Sequence, residues 1–441
     1  MAGHSRPKDG VASLAYDPAI SLRDAWCPPK RYARDKPVHD KVYDLMTSPR
    51  DFLCGPWRAV LVLGVTQIIS WGTIFYTPVL IVPLIAKEHG WSIAFAMGGF
   101  SAALLVAGLI APFVGRSIDR FGGQVTMTAG SLAGALGLLL IGYTNNPWAY
   151  YAVWMLLGAA MSANLYDSAF ASLGRIFGAA ARRPITALTL AGGFASTVSW
   201  PATHFLLEAV GWRDTYLIYA AALACISAPL HAFVLPRSRF EADLPKQIDE
   251  KAPDKVLPPR GLPFLLVASA FAAYAFVPSG LSAHLLAIFA RSGIDAGTVV
   301  WIGALFGPAQ VGARLIEFSF GRNLHPLWVV RFALGVLPCA FVMMAVLGIS
   351  TPVAAAFSLL FGGANGLVTI TRGAVPLALF GASGYGRLLG RLAGPFLVMQ
   401  AAAPLVMAFV VEHASDAAAL ALAASFAAVG LICFIVIRKP A

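Results

Sequence analysis

From residue 57 onward, long apolar runs alternate with short polar interruptions. The runs fall at about 57–86, 92–114, 124–143, 148–173, 184–208, 214–235, 262–290, 296–319, 327–348, 353–379, 390–412 and 416–437. Each can cross a hydrocarbon core, which takes roughly 20 residues of helix. Lipid offers the backbone no hydrogen-bond partners, so such runs must satisfy their own amides as helices. The pattern predicts an all-α membrane protein with twelve transmembrane helices seated in a lipid bilayer. Ahead of the first run, residues 1–55 are polar, proline-containing and of mixed charge. With no early apolar stretch they do not read as a secretory signal, but as a disordered tail. Met46, just before the first span, is an alternative start to Met1. The polar stretch 236–260 reads as a linker between two six-helix bundles, 56–235 and 261–438.

The two bundles read as parallel repeats offset by about 205 residues. Pro147 matches Pro352, Gly158 matches Gly363, Asp167 matches Arg372 and Ala169 matches Ala374. Gly90 and Ser92 match Gly293 and Asp295, and Pro201 matches Pro404. Ser92 and Asp295 are expected to cap the helices that follow them. Six spans is an even number, so both copies insert the same way round, unlike inverted-repeat transporters.

Composition agrees with the pattern. Hydrophobic residues make up 58% of the 441 and charged residues 12%, against about 25% charged in soluble domains. The net charge of +11 sits mostly in loops and tails. No basic patch interleaved with stacking aromatics points to nucleic acid. Basic residues also predict orientation. Arg116, Arg120, Arg175, Arg182, Arg183, Arg322, Arg387 and Arg391 fall in loops on one side, and Lys87, Arg213 and Arg291 on the other. The arginine-rich side is expected to be cytoplasmic, with both termini there. Cys27, Cys54, Cys225, Cys339 and Cys433 are scattered, with no paired spacing, and predict neither disulfides nor a metal site.

Between spans two and three lies GRSIDRFGG, with Gly115, Arg116, Asp119, Arg120 and Gly122 in a G-x-x-x-D-R-x-G arrangement. Asp119 there can cap the next helix or pair with a basic side chain, and the glycines let helix ends approach. This segment resembles the signature loop of the major facilitator superfamily of secondary transporters. It departs from that pattern at Gly123, usually basic, and Ser117, usually apolar. The resemblance covers the chain after residue 55. It implies two bundles rocking about a central site, with spans four and ten lining the cavity. The segment ending in GWS and NGLVTITRGAVPLALFG in span ten look like bacterial members near the monocarboxylate and oxalate–formate carriers.

Ionisable residues inside spans are costly and hence candidates for function. Glu208, Glu412, His231 and Arg331 lie near helix ends and read as interfacial. Asp167 and Arg372 occupy equivalent positions in spans four and ten. They can form a gate between the bundles, handle substrate or a proton directly, or each pair within its own bundle. In span eight, Arg314 and Glu317 are three residues apart and can neutralise each other. By resemblance to organic-anion carriers, Arg314 can instead bind an anion. Gln67, Trp71 and Tyr76 of span one, Tyr274 and His284 of span seven, Gln310 of span eight, and Asn164 and Asn365 are cavity candidates, since small-molecule sites are mostly apolar with a few polar contacts.

Nucleotide cradles, zinc-protease motifs and nucleophile elbows are absent, so the sequence predicts no enzyme, cofactor or metal. Span five has its proline too late for a drug-antiporter motif. The expected function is secondary transport of a small solute, an organic anion first, with H+ as a candidate coupling ion. Efflux of a toxic drug or metalloid and a transporter-like sensor are the alternatives. A monomer in a bacterial inner membrane is the expected form.

Overall fold

A computed structural model describes residues 55–236, 261–321 and 324–437. All but the last residue of the tail expected at 1–55, nearly all of the 236–260 linker, Met46, Cys27, Cys54 and Arg322 lie outside the described residues. Within them the structure is helical throughout, with no strand. The first six spans are Arg58–His89, Ile93–Phe121, Gly123–Ile141, Pro147–Asn164 with Tyr166–Phe177, Arg182–Gly193 continuing through 195–210, and 212–234. The second six are Leu262–Arg291, Ala296–Ala304 with Phe306–Phe320, Pro326–Leu347, Thr351–Phe380, Tyr385–His413 and Asp416–Val436. Spans five and six run on as one helix except at Gly211, whose φ of 79° turns the chain.

Two boundaries differ from the pattern. Span two continues helically to Phe121, so Gly115, Arg116, Asp119 and Arg120 lie on its last two turns, not in a loop. Only Gly122 makes the turn, at φ 90°. Span eleven begins at Tyr385, five residues ahead of its apolar run, placing Arg387 and Arg391 on helix. Charged residues at helix ends are invisible to a hydropathy pattern but cost a helix nothing where they meet headgroups or water.

The caps form at the repeat positions. Ser92 accepts from the Phe95 amide at 3.1 Å, and Asp295 from the Thr298 amide at 3.1 Å. Hydrogen bonds from the Thr298 side chain and amide hold the Asp295 carboxyl below its ordinary range. Each half also carries an ion pair tying its first span to its sixth. Arg213 bonds Glu88, which also accepts from the Trp212 indole at 2.8 Å; Arg291 bonds Asp416 at 2.6 Å. Both pairs span 125 residues of sequence, with acid and base exchanged.

The halves meet chiefly at the end of the molecule that carries Asp119. Spans two and eleven pack closely there because glycines leave room for backbone. A Cβ on Gly115 would strike the Gly386 carbonyl, and one on Gly390 the Ala111 carbonyl. Without side chains in the way, helices in lipid gain close van der Waals contact. The second part of span four packs on span eleven, and span five on spans eight and ten.

Candidate functional site

The sequence candidates fall into layers along the seam. In the first, Arg314 of span eight is 3% exposed. Its Nη1 donates to the Thr189 carbonyl of span five at 2.8 Å, its Nη2 to Gln310 Oε1 at 3.3 Å, and its Nε to the Gly366 carbonyl of span ten at 3.4 Å. The guanidinium therefore bridges three helices and both halves. The Tyr166 hydroxyl lies within its reach, and Tyr76 and Tyr274 face it at longer range. A Cβ on Gly193 would fall 2.6 Å from Nη1, so glycine there keeps the guanidinium's berth open. No ion pair joins Arg314 to Glu317, against the local pair the spacing allowed. Glu317 instead reaches Arg182 of span five at 2.9 Å and Thr186 at 3.3 Å. A buried charge costs several kcal/mol unless paired. Arg314 has carbonyl and amide acceptors but, among the described residues, no carboxylate, so it remains a net positive centre.

Around it stand the remaining candidates. Trp71 donates its indole N–H to Gln67 Oε1 at 3.0 Å, and Gln67 donates to the Asn164 carbonyl at 2.5 Å. That carbonyl is available because span four breaks at Leu165, whose backbone is extended (φ −80°, ψ −171°). The Trp71 ring lies 5.0 Å from Tyr166 and 5.9 Å from Tyr76, and Tyr166 stacks on Phe170 at 5.3 Å. The Tyr274 hydroxyl donates to Asn365 Oδ1. His284 lies apart, on the stretch of span seven leading toward Arg291.

Two turns further along span ten comes the second layer. Arg372 Nη2 donates to both oxygens of Asp167, at 2.7 and 2.9 Å, joining residues 205 apart across the seam. The guanidinium also lies over the Phe396 ring, 3.6 Å from its centroid. Among the described residues, neither forms an ion pair within its own half. The Arg182–Glu317 pair crosses the seam on the span five and eight side, and Arg182 adds bonds to the Leu324 and Gly321 carbonyls at 2.5 and 3.0 Å.

The third layer is the signature segment. Asp119 does not cap span three, which begins without a side-chain cap. It accepts from the Gly386 and Arg387 amides at 2.9 and 2.7 Å, capping span eleven in the other half. A carboxylate at a helix N-terminus meets unsatisfied N–H groups and the positive end of the dipole. Arg175 donates to the Ile118 and Asp119 carbonyls and steadies this end. Arg116 and Arg120 lie over Phe113 and Phe121. A cavity of about 250 Å³ opens here, lined by Asp119, Arg175, Ala382, Gly384 and Tyr385. It adjoins the signature segment and not Arg314.

Of the residues read as interfacial, His231 is placed differently. His231 is wholly buried inside the first half. Arg331 bonds the Phe434 and Ile437 carbonyls at the end of span twelve. Glu208, exposed, meets His204 at 3.3 Å. Thr189, Gly193 and Tyr166 carry no sequence signal of their own. Only the direction of Arg314 singles them out.

The sequence model described as Major Facilitator Superfamily matches residues 62–390. Among solved structures, the chain is similar to the human organic anion transporter MFSD10 (TETRAN), with TM-score 0.66 and 17% identity, over 87% of this chain and 99% of that one. It is also similar to the proton:xylose symporter XylE bound to 6-bromo-6-deoxy-D-glucose, with TM-score 0.65 and 10% identity, over 86% and 94%. A stretch of 123 residues is 30% identical to human Monocarboxylate transporter 6, covering 27% of this chain and 23% of that protein. The match thus spans less than a quarter of that relative's length.

Proposed function

The chain belongs to the major facilitator superfamily and is a membrane transporter, not an enzyme; from that premise we propose that it carries a small organic anion by alternating access. One observation carries the reading: Arg314 is a buried guanidinium at the seam with no carboxylate partner among the described residues. Arg372 and Arg182, by contrast, are neutralised by Asp167 and Glu317. A single uncompensated positive charge suits one carboxylate, and the rings of Trp71, Tyr76 and Tyr166 suit a short apolar or flat tail. The likeness to an organic anion transporter and the monocarboxylate transporter segment point the same way.

Two further roles complete the reading. The pairs Asp167–Arg372 and Arg182–Glu317, with the Asp119 cap, form the gate that closes the seam at one end. The arginine-rich loops put that end, and both termini, in the cytoplasm of a bacterial inner membrane. The form seen here is then closed to the cytoplasm. The carrier acts as a monomer, since each chain holds a whole site, and a proton accompanies the anion to keep transport neutral.

Uptake of labelled L-lactate, benzoate, formate and oxalate into proteoliposomes, with and without a pH gradient, tests this. Saturable uptake of a monocarboxylate, lost in Arg314→Gln, is the expected result. Uptake of neutral sugars or cations with equal loss in that variant would overturn it.

A further inference from the structure

Inside the first half runs a closed ring of hydrogen bonds that no transport step described above requires. Ser131 of span three donates to Asn164 Oδ1 at 3.2 Å and lies 3.1 Å from His231 Nδ1. His231 Nε2 lies 2.9 Å from the Thr66 hydroxyl. Thr66 precedes Gln67 on span one, and Gln67 bonds the Asn164 backbone carbonyl, which closes the ring through spans one, three, four and six. Thr66, Gln67, Ser131, Asn164 and His231 are each 0% exposed.

The proton count fixes the direction. Ser131 has one hydroxyl proton and spends it on Asn164, so it accepts from His231 Nδ1–H. The other nitrogen, Nε2, is then bare and shares the single Thr66 hydroxyl proton with the Leu63 carbonyl, 3.3 Å from that hydroxyl. His231 joins side chains of span three and span one through its two ring nitrogens, and it sits on a π-helical turn, Leu230–Val234. Such turns are frequent at functional sites. The helix carrying Trp71 has another, Trp71–Tyr76.

We propose that His231 is a positioning residue for the cavity wall. From behind, it holds Thr66 on one side and Asn164, through Ser131, on the other. The Gln67 carboxamide is thereby aimed so that its oxygen is presented to the Trp71 indole. The inference rests on the reading that Trp71 faces the transported solute.

Hydrogen–deuterium exchange of the full chain in nanodiscs tests the holding role without any solute. In His231→Phe, exchange over 66–76 and 160–168 rises about tenfold, while 268–276 of the second half changes less than twofold. Thr66→Val and Ser131→Ala each open one side of the ring and give the same local rise. They decide the matter if His231→Phe does not fold. Unchanged exchange at 66–76 in these variants, or an equal rise in both halves, overturns the proposal. With L-lactate as the probe, His231→Phe raises KM about tenfold with turnover within twofold, and adds nothing in a Trp71→Phe background. An additive effect there, or lost turnover at unchanged KM, overturns the link to the wall. If the wild type takes none of lactate, benzoate, formate and oxalate, the anion reading fails while the exchange result still stands; if it takes another of these, that anion replaces lactate as the probe.

Discussion

The two halves place their polar groups in opposite ways. In the first, hydrogen-bonding side chains are drawn into the interior: Thr66, Gln67, Ser131, Asn164 and His231 are buried and linked by hydrogen bonds. In the second, the corresponding interior is apolar. Phe434 is buried against Phe271 at 5.2 Å, and Gly430 lies against Ala270 and Leu334. Its polar groups stand at the seam instead, as Arg314, Gln310, Arg372 and the Tyr274–Asn365 pair. One half specifies its own shape with buried hydrogen bonds, while the other supplies the site's positive charge. A repeat can thus keep its helices and divide the labour.

Replacing Arg314 strikes the charged half where it matters most. Arg314→Gln lowers carboxylate uptake about a hundredfold or more, with the melting temperature little changed, and Arg314→Lys restores only part. The seam pair comes next. Arg372→Asp or Asp167→Arg alone places like charges together and cuts uptake about thirtyfold, whereas the double exchange recovers most of it. If the exchange recovered nothing, the pair would not act as one unit. Gly193→Ala crowds the guanidinium and raises KM about tenfold with protein yield unchanged, a smaller blow to the same charge. Making the halves alike tests the other side of the contrast: Phe434→His buries an imidazole with no ring to join, costing about 1–3 kcal/mol in denaturant melts. Smallest are the caps. Ser92→Ala costs about 1 kcal/mol at any pH. The Asp295 cap is present above the ordinary carboxylate value and fades as pH falls through its lowered one, so acid titration by exchange should loosen span eight before span two.

Much of this was legible in the residues. The spans followed from apolar length, the caps from Ser92 and Asp295, and the facing of Asp167 and Arg372 from their equivalent repeat positions. What misled was locality. Glu317 sits one turn from Arg314 yet reaches across to Arg182, because a buried arginine finds carbonyls on three helices before it finds its neighbour. Asp119 caps a helix 267 residues away rather than the next one. His231 looked interfacial by its place near a helix end, but π-helical turns rotate the span and carry it inward. Such choices are made by packing between helices, and a single chain read along its length carries no mark of them.

The outer pairs Glu88–Arg213 and Arg291–Asp416 are each complete within one half, whereas Asp167 and Arg372 need both. A hybrid made from two copies of the first half would keep its staples yet set aspartate against aspartate at the seam, and two second halves would set arginine against arginine. The reversed polarity therefore works as a mating rule: severed halves made in one cell should find each other and refuse themselves.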